Sequence, residues 1–315
     1  MASKMNIVFM GSPAFAVPAL KELISSEYDV VAVYTQPDKP VGRGRIASLT
    51  AVKRVALEQG LEVRQVQSFA DAATVASLAQ LNPDVIVVAA FGHILPPQVL
   101  AIPPFGCINL HPSLLPRYRG PTPIPAAILS GDEYTGATIM LVNQRIDSGP
   151  ILAQRRVDIA PVDTTGSLTT KLAQIAAHLL METLPPWFSR SLVPQTQREE
   201  DATYSKLLSK KEGEIDWQLT APDIWRRVRA FSPWPGCYTT WQGKVLKIVK
   251  GIPLPGERGE TGIVVSLGRG EVGVKCGEGI LNLLRLQLEG RNEMDAEEFL
   301  RGQRDFIGAR LHKSK

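Results

Sequence analysis

Apolar residues recur along the first half of the chain in short runs: NIVFM at 6–10, VVAVY at 30–34, LEVRQV at 61–66, DVIVVAA at 84–90 and GCINL at 106–110. The stretches between them carry helical periodicity. Apolar strands alternating with helices predict a parallel sheet covered on both faces. After the first run, GSPAFAVPALKELISS offers Ser12 as a helix N-cap and Pro13 at the first helical position, with Phe15, Leu20, Leu23 and Ile24 on one face. Further helices are expected around 49–59 and 71–81. GATIMLV at 136–142 and the alternating ILAQRRVDI at 151–159 read as later strands, and an amphipathic stretch at 167–184 closes the domain. The fold class this pattern implies is a doubly wound α/β domain whose functional site lies beyond the carboxyl ends of the strands.

The pattern changes at PPWFSRSLVPQTQREEDATYSK, residues 185–206, which has little periodicity and three prolines and reads as a linker. The division expected is a first domain at 1–188, a linker at 189–208 and a second domain at 209–315. The second domain opens with a helix begun by Thr220 and Pro222. Short strands follow: the hairpin CYTTWQGKVLKIVK turning at Gln242-Gly243, then TGIVVSL, EVGVKC and GILNLLRLQ. Several short strands at this spacing predict a small β-barrel.

Composition narrows the classes. A chain of 315 residues with 44% apolar and 21% charged residues is that of an ordinary globular protein of two domains. The longest apolar runs fall far below the roughly 18 residues of a membrane span. The N-terminus enters a strand without a separate apolar stretch and cleavage site, so a cytoplasmic protein is expected, with an organelle matrix left open. Cys107, Cys237 and Cys276 are odd in number and form no CxxC pair, which argues against a disulfide framework or a zinc site. The net charge of +4 is confined to residues 209–315, where 18 Lys/Arg face 14 Asp/Glu; residues 1–208 hold 17 of each. Such asymmetry suits either a polyanionic partner or a solvated surface.

Candidate chemistry gathers in INLHPSLLPRYRGPTP, residues 108–123. Asn109 and His111 are two apart at the carboxyl end of a strand, so their side chains share one side of the sheet. An amide that donates to a developing oxyanion beside an imidazole that moves a proton is the minimum equipment for acyl transfer. Asp147, in NQRIDSGP after a later strand, could hold the imidazole. The alternative reading is local: Asn109 ends a strand, His111 caps a loop, and Asp147 makes an Asx-turn with Ser148 and Gly149.

NLHPSLLPRYRG at 109–120, followed by GATIMLVNQRIDSG at 136–149, closely resembles the folate-dependent formyltransferases. The resemblance implies a Rossmann-like formyltransferase fold and a catalytic trio on Asn109, His111 and Asp147. It implies a folate-binding turn on Ser113, Leu114, Leu115 and Pro116, with FGHILP from Phe91 and Gly92 onward as a wall of the pterin pocket. The family often has Gln at the position of His93. The implied co-substrate is 10-formyltetrahydrofolate, with no metal. An amine would attack the formyl carbon while Asn109 and a protonated His111 stabilise the oxyanion. QPDKPVGRGRIASL at 36–49, with Lys39, Arg43 and Arg45 between glycines, resembles the insertion of the branch that acts on methionyl-tRNA, as do AFSPWPGCYTTW and GILNLLRLQ. That branch implies an OB-like C-terminal barrel, an initiator methionyl-tRNA as partner, a role in translation initiation, no membrane and a monomer. Arg226, Arg227, Arg229, Lys244, Lys247 and Lys250 are then expected on the barrel surface, with Trp234 and Trp241 either stacking platforms or buried.

Three rivals make different demands. A formyltransferase for an amino sugar or purine precursor leaves the basic loop and the barrel without a role. A nucleotide-binding dehydrogenase needs G-x-G-x-x-G, whereas the first turn reads GSPAFAVPA and no acidic residue closes the second strand. A non-catalytic tRNA-binding protein would make Asn109, His111 and Asp147 structural.

Overall fold

The computed structural model describes residues 4–41 and 46–313. The chain forms two compact units, each described by itself. The first comprises Met1–Pro123, Tyr134–Asp158 and Thr169–Ser205; the second comprises Ile124–Glu133, Ile159–Leu168 and Lys206–Lys315. The linear division at 188 and 208 therefore misses two excursions of the N-terminal half. Hydrogen bonds hold the second of them, Ile159–Leu168: Arg229 Nη1 donates to the carbonyls of Ala160 and Asp163, and Thr165 Oγ1 donates to Ala230 O at 2.6 Å.

Among the described residues, nine strands run through the first unit: β1 Asn6–Gly11, β2 Asp29–Thr35, β3 Lys39–Val41, β4 Ile46–Ser48, β5 Val63–Gln65, β6 Val85–Ala89, β7 Cys107–His111, β8 Tyr134–Leu141 and β9 Ile151–Asp158. Seven make one sheet in the order β5-β2-β1-β6-β7-β8-β9, and β3 pairs with β4 as a separate hairpin. Pairing is parallel from β5 to β7 and antiparallel at β7-β8 and β8-β9. Ile7, Val8, Phe9 and Met10 of β1 are all 0% exposed, which is why the central strands read as unbroken apolar runs. On one face Val8, Met10, Tyr34, Ile86 and Val88 pack with Phe69, Leu78, Phe91 and Leu95.

Ser12 does not cap the first helix. A short 3-10 turn at Ala14–Ala16 leads into the helix Val17–Ile24, and the Ser12 hydroxyl instead accepts from Gln36 N and Thr35 Oγ1. The hydroxyl thus ties the end of β1 to the end of β2. The later helices start as expected, with Thr50 accepting from Lys53 N and Asp71 from Thr74 N. The helix Thr165–Phe188 runs through Pro185 and Pro186, four residues beyond the predicted end. Its last turn is anchored by Trp187 Nε1 donating to Phe105 O at 2.9 Å and by Phe188 against Phe105 and Tyr28.

Among its described residues the second unit carries the helix Ala221–Ala230, capped by Thr220, and six antiparallel strands. These are β10 Cys237–Trp241, β11 Lys244–Leu254, β12 Val264–Gly268, β13 Glu271–Lys275, β14 Ile280–Leu288 and β15 Met294–Asp295. Gln242 and Gly243 both have positive φ, 48° and 72°, as a two-residue hairpin turn of this hand requires. The strand order β10-β11-β14-β13-β12, with β15 beside β14, does not close into the expected barrel. The C-terminal segment instead reaches both edges: Thr240 N donates to His312 O and Val264 N to Ala309 O, each at 2.9 Å. Covering both edges removes the unpaired backbone groups that an open sheet exposes.

Of the cations expected on this surface, Lys244, Lys247 and Lys250 are exposed. Arg229 is not: it is buried, with its guanidinium 3.9 Å from the Trp225 ring centroid. The two tryptophans also part ways. Trp241 is buried against Phe299 and Phe306, with centroids 5.7 and 5.1 Å away, whereas Trp234 is exposed. Trp241→Ala is expected to lower the stability of the protein by about 3–5 kcal/mol through the cavity it leaves. Denaturant unfolding followed by circular dichroism checks this, and a loss below about 1 kcal/mol would remove Trp241 from the core.

Candidate active site

Parallel crossovers leave the carboxyl end of β7 open to loops, and Asn109 and His111 lie there. Asn109, opposite Val88 and Met140, is half-buried and its side chain makes no hydrogen bond among the described residues. His111 is 4% exposed. Its Nε2 lies 3.0 Å from the carbonyl oxygen of Tyr118. A carbonyl oxygen only accepts, so Nε2 carries a proton, and Nδ1 is the nitrogen whose protonation can change. Nδ1 is 3.6 Å from Asp147 Oδ2. Burial pushes the imidazole below its ordinary value of 6.5, against the opposing pull of the Asp147 carboxylate and the Tyr118 carbonyl. Burial thus favours the neutral imidazole in the free protein, whereas the protonated His111 expected from the resemblance belongs to the reacting complex.

Asp147 reaches this position at a conformational cost. It sits in the left-handed region at φ 47°, and Gly149 two residues on is packed so closely that a Cβ would lie 1.8 Å from Leu141 O. The Asp147 Oδ2 accepts from Gly120 N at 2.8 Å, so the carboxylate faces the 112–120 loop and forms no Asx-turn with its neighbours. Asn143 does that local work, accepting from Arg145 N and Ser148 Oγ. The structure thus brings Asp147 and His111 together, and the local turn is made by Asn143 instead.

The loop after β7 is held tightly. Ser113 is fully buried and donates to Arg117 O at 2.6 Å, while Ser113 O accepts from Thr138 Oγ1 at 2.6 Å. Leu115 N donates to Thr138 Oγ1, and Gln154 Nε2 donates to Leu115 O at 2.8 Å. Leu114 lies over Gly136, where a Cβ would come within 2.4 Å of Leu114 Cδ2. Pro116 O accepts from Thr203 N. Thr138 and Gln154 were not singled out from sequence, because each acts on backbone groups some twenty to forty residues away with no local pattern.

Phe91 is 2% exposed and belongs to the core under the sheet, its ring meeting His93 edge-on at 5.0 Å. Gly92 is exposed at φ 82°, and a Cβ there would strike Gln36 Nε2. Gln36 Nε2 donates to Phe91 O at 3.1 Å, which ties this turn to the start of the 36–49 loop. His93 Nε2 is buried and has no hydrogen-bond partner among the described residues. At the base of the 36–49 loop, Lys53 pairs with Asp38 at 2.6 Å, and Gln65 bonds both Gln36 O and Asp38. Arg43 and Arg45 lie outside the described residues, and only the backbone of Lys39 is described. Among the described residues, no three His, Cys, Asp or Glu side chains are grouped to hold a metal, and no helix is long and apolar enough to cross a membrane.

Residues 5–184 match the formyl transferase family, and residues 207–304 match the formyl transferase C-terminal domain. The chain belongs to the formyl transferase family. It is 46% identical over 310 residues to a methionyl-tRNA formyltransferase of Roseiflexus castenholzii, covering 98% of this chain and 99% of that protein. It is 47% identical over 312 residues to the methionyl-tRNA formyltransferase of Dehalococcoides mccartyi, covering 98% of each. Among solved structures it resembles an N-formyltransferase from Helicobacter canadensis in complex with folinic acid and dTDP-3-aminofucose. That match has a TM-score of 0.67 at 17% identity and covers 89% of this chain and 98% of the other. HypX from Aquifex aeolicus, in complex with tetrahydrofolic acid, gives a TM-score of 0.62 at 17% identity over 97% of this chain and 48% of that one. Those two likenesses concern the fold.

In protein labelled with 15N-histidine, His111 is expected to resonate at pH 7 as the neutral Nε2–H tautomer and to titrate below 6.5. An Nδ1–H tautomer, or a titration above that value, would contradict the geometry.

Proposed function

We propose that this protein is a methionyl-tRNA formyltransferase, transferring the formyl group of 10-formyltetrahydrofolate to the α-amine of methionine on initiator tRNA for translation initiation. The observation that carries this reading is the match to proteins of that name at 46–47% identity over 98% of the chain, through both family domains. A formyltransferase for a small amine would share the first domain's site but gives no reason for similarity of that kind along residues 207–304.

The donor supplies a formyl group bound to an aryl nitrogen, and the residues suit such a molecule. The orphaned, buried His93 Nε2 beside the Phe91 ring offers a hydrogen bond to a polar heterocycle. Ser113, Leu114, Leu115 and Pro116 form a rigid turn next to His111, with Gly92 opening the backbone on the side of His93. Asn109, whose amide has no hydrogen-bond partner among the described residues, donates to the oxygen on which charge develops as the amine adds. With Nε2 committed to Tyr118, the His111 Nδ1 and Asp147 together take the proton that the attacking nitrogen must lose, and return one to the departing nitrogen. Asp147 stabilises the imidazolium while it exists.

Acceptor binding falls to Lys39, Arg43 and Arg45 of the 36–49 loop and to exposed cations of the second unit. Phosphate contacts of this kind make binding weaken steeply with salt. A monomer in the cytoplasm is the working assembly.

The test is initial-rate formylation of methionyl-initiator tRNA, with free methionine and an amino sugar nucleotide as rival acceptors. Turnover with the charged tRNA alone is expected, and turnover with either small amine in its place would overturn the acceptor. His111→Ala is expected to lower kcat by about a hundred- to ten-thousandfold without abolishing binding of the tRNA. A variant as active as the wild type would take His111 out of the chemistry. Arg43→Ala is expected to raise KM for tRNA and leave KM for the folate unchanged, whereas unchanged tRNA kinetics would exclude that residue.

A further inference from the structure

The segment expected to be a passive linker runs alongside the loop that carries the site. Arg119 and Tyr204 form a parallel bridge, with Arg119 N donating to Thr203 O at 2.8 Å and Ser205 N to Arg119 O at 2.7 Å. Tyr118, itself at φ 59°, donates its N–H to Thr203 Oγ1 at 2.8 Å while its carbonyl receives the His111 proton. At the start of this strap Gln197 is 6% exposed. Its Nε2 donates to Asp147 O at 2.9 Å and to Gly149 O at 2.7 Å, and its Oε1 accepts from Arg119 Nε at 3.0 Å.

The order of these bonds matters. The two ends of an amide are chemically opposite, and a guanidinium only donates, so Arg119 dictates that the Gln197 NH2 faces Asp147. Arg119 is fully buried and is itself fixed, its Nη atoms bonded to both oxygens of Glu199 and to the Tyr204 hydroxyl. The Gln197 donors then bracket the strained turn, one on the carbonyl of Asp147 and one on that of Gly149. A non-glycine residue keeps a left-handed φ only where its surroundings over-determine it, and these two backbone bonds add to the carboxylate's contact with Gly120 N.

We propose that Gln197, oriented by the buried Arg119, is a positioning residue for the formyl-transfer reaction, clamping the Asp147 turn so that its carboxylate faces His111 Nδ1. The strap is thereby part of the site, since the same segment fixes Asp147 through Gln197 and the Tyr118 carbonyl through Thr203. The kinetic part of this inference rests on the proposed activity; the geometric part does not.

Gln197→Met keeps the length of the side chain and removes both donors and the acceptor. It is expected to lower kcat by roughly ten- to a hundredfold, with KM for donor and acceptor within about twofold of wild type, because misplacing a reacting pair costs rate rather than binding. In an Asp147→Ala background the same substitution is expected to change kcat by less than about twofold, since a clamp on an absent carboxylate has nothing to position. Losses that multiply in the double variant, or an unchanged kcat in the single one, would overturn the assignment. Gln197→Glu serves if the methionine variant is unstable: it keeps a partner for Arg119 and loses both donors, and the same kinetic pattern is expected. A substrate-free reading comes from the 15N-histidine titration. His111 in Gln197→Met is expected to titrate lower than in wild type, because the Asp147 carboxylate that supports its protonated form has moved away. An unshifted titration would contradict the clamp. If wild-type protein formylates no tRNA, the acceptor assignment falls, and the histidine titration still decides the positioning role.

Discussion

The site depends on one hydrogen bond, from His111 Nε2 to the carbonyl of Tyr118. It commits one imidazole nitrogen to the backbone and leaves Nδ1, beside Asp147, as the nitrogen whose protonation can change. Everything around it follows from keeping that carbonyl in place: Tyr118 in the left-handed region, its N–H tied to Thr203, and the 112–120 loop fastened through Ser113, Thr138 and Gln154. A buried neutral imidazole costs far less than a buried cation, and Asp147 close by lowers the cost of protonating it when a reaction demands it. The Gly120 N–H and the His111 ring share that carboxylate, so the loop and the imidazole are set by the same oxygen, Asp147 Oδ2.

The sheet supplies the platform. Five parallel strands and the reversal at β7-β8 set β7 and β8 side by side, with Asn109 opposite Met140 and His111 opposite Thr138. This is why two segments some thirty residues apart build one cleft. The second unit contributes exposed lysines on β11 and an edge-covered antiparallel sheet, and its cysteines, like Cys107, are buried thiols whose ionisation is pushed up to about 12 for Cys237 and about 11 for Cys276. They are structural packing groups rather than nucleophiles.

How much of this was legible in the sequence depended on the range of each interaction. Strands 6–10 and 84–90 were plain because burial on both faces leaves an unbroken apolar run, and the Asn109-x-His111 spacing was plain because a strand's period is two. Ser12 misled because a hydroxyl ahead of a helix looks like a cap whichever donor it serves. The linker misled because prolines suggest loose chain, whereas Pro185 and Pro186 close an anchored helix and the strap beyond is paired through its backbone. Gln197, Arg119 and Thr138 carry no local signature, since these partners lie about 25 to 80 residues away, on backbone carbonyls for Thr138 and Gln197 and on side chains for Arg119. The interleaving of the two units was invisible for the same reason: Ala160 and Asp163 are claimed by Arg229 across more than sixty residues.

The most direct measurement is to identify the atom that receives the transferred group. Methionyl-initiator tRNA is incubated with the protein and 13C-formyl-labelled 10-formyltetrahydrofolate, the terminal aminoacyl-adenosine is released with nuclease, and the fragment is read by mass spectrometry and 13C NMR. The predicted result is the label on the α-nitrogen of methionine. An unlabelled fragment, or label on any other atom of the acceptor, would contradict the reaction assigned to Asn109, His111 and Asp147.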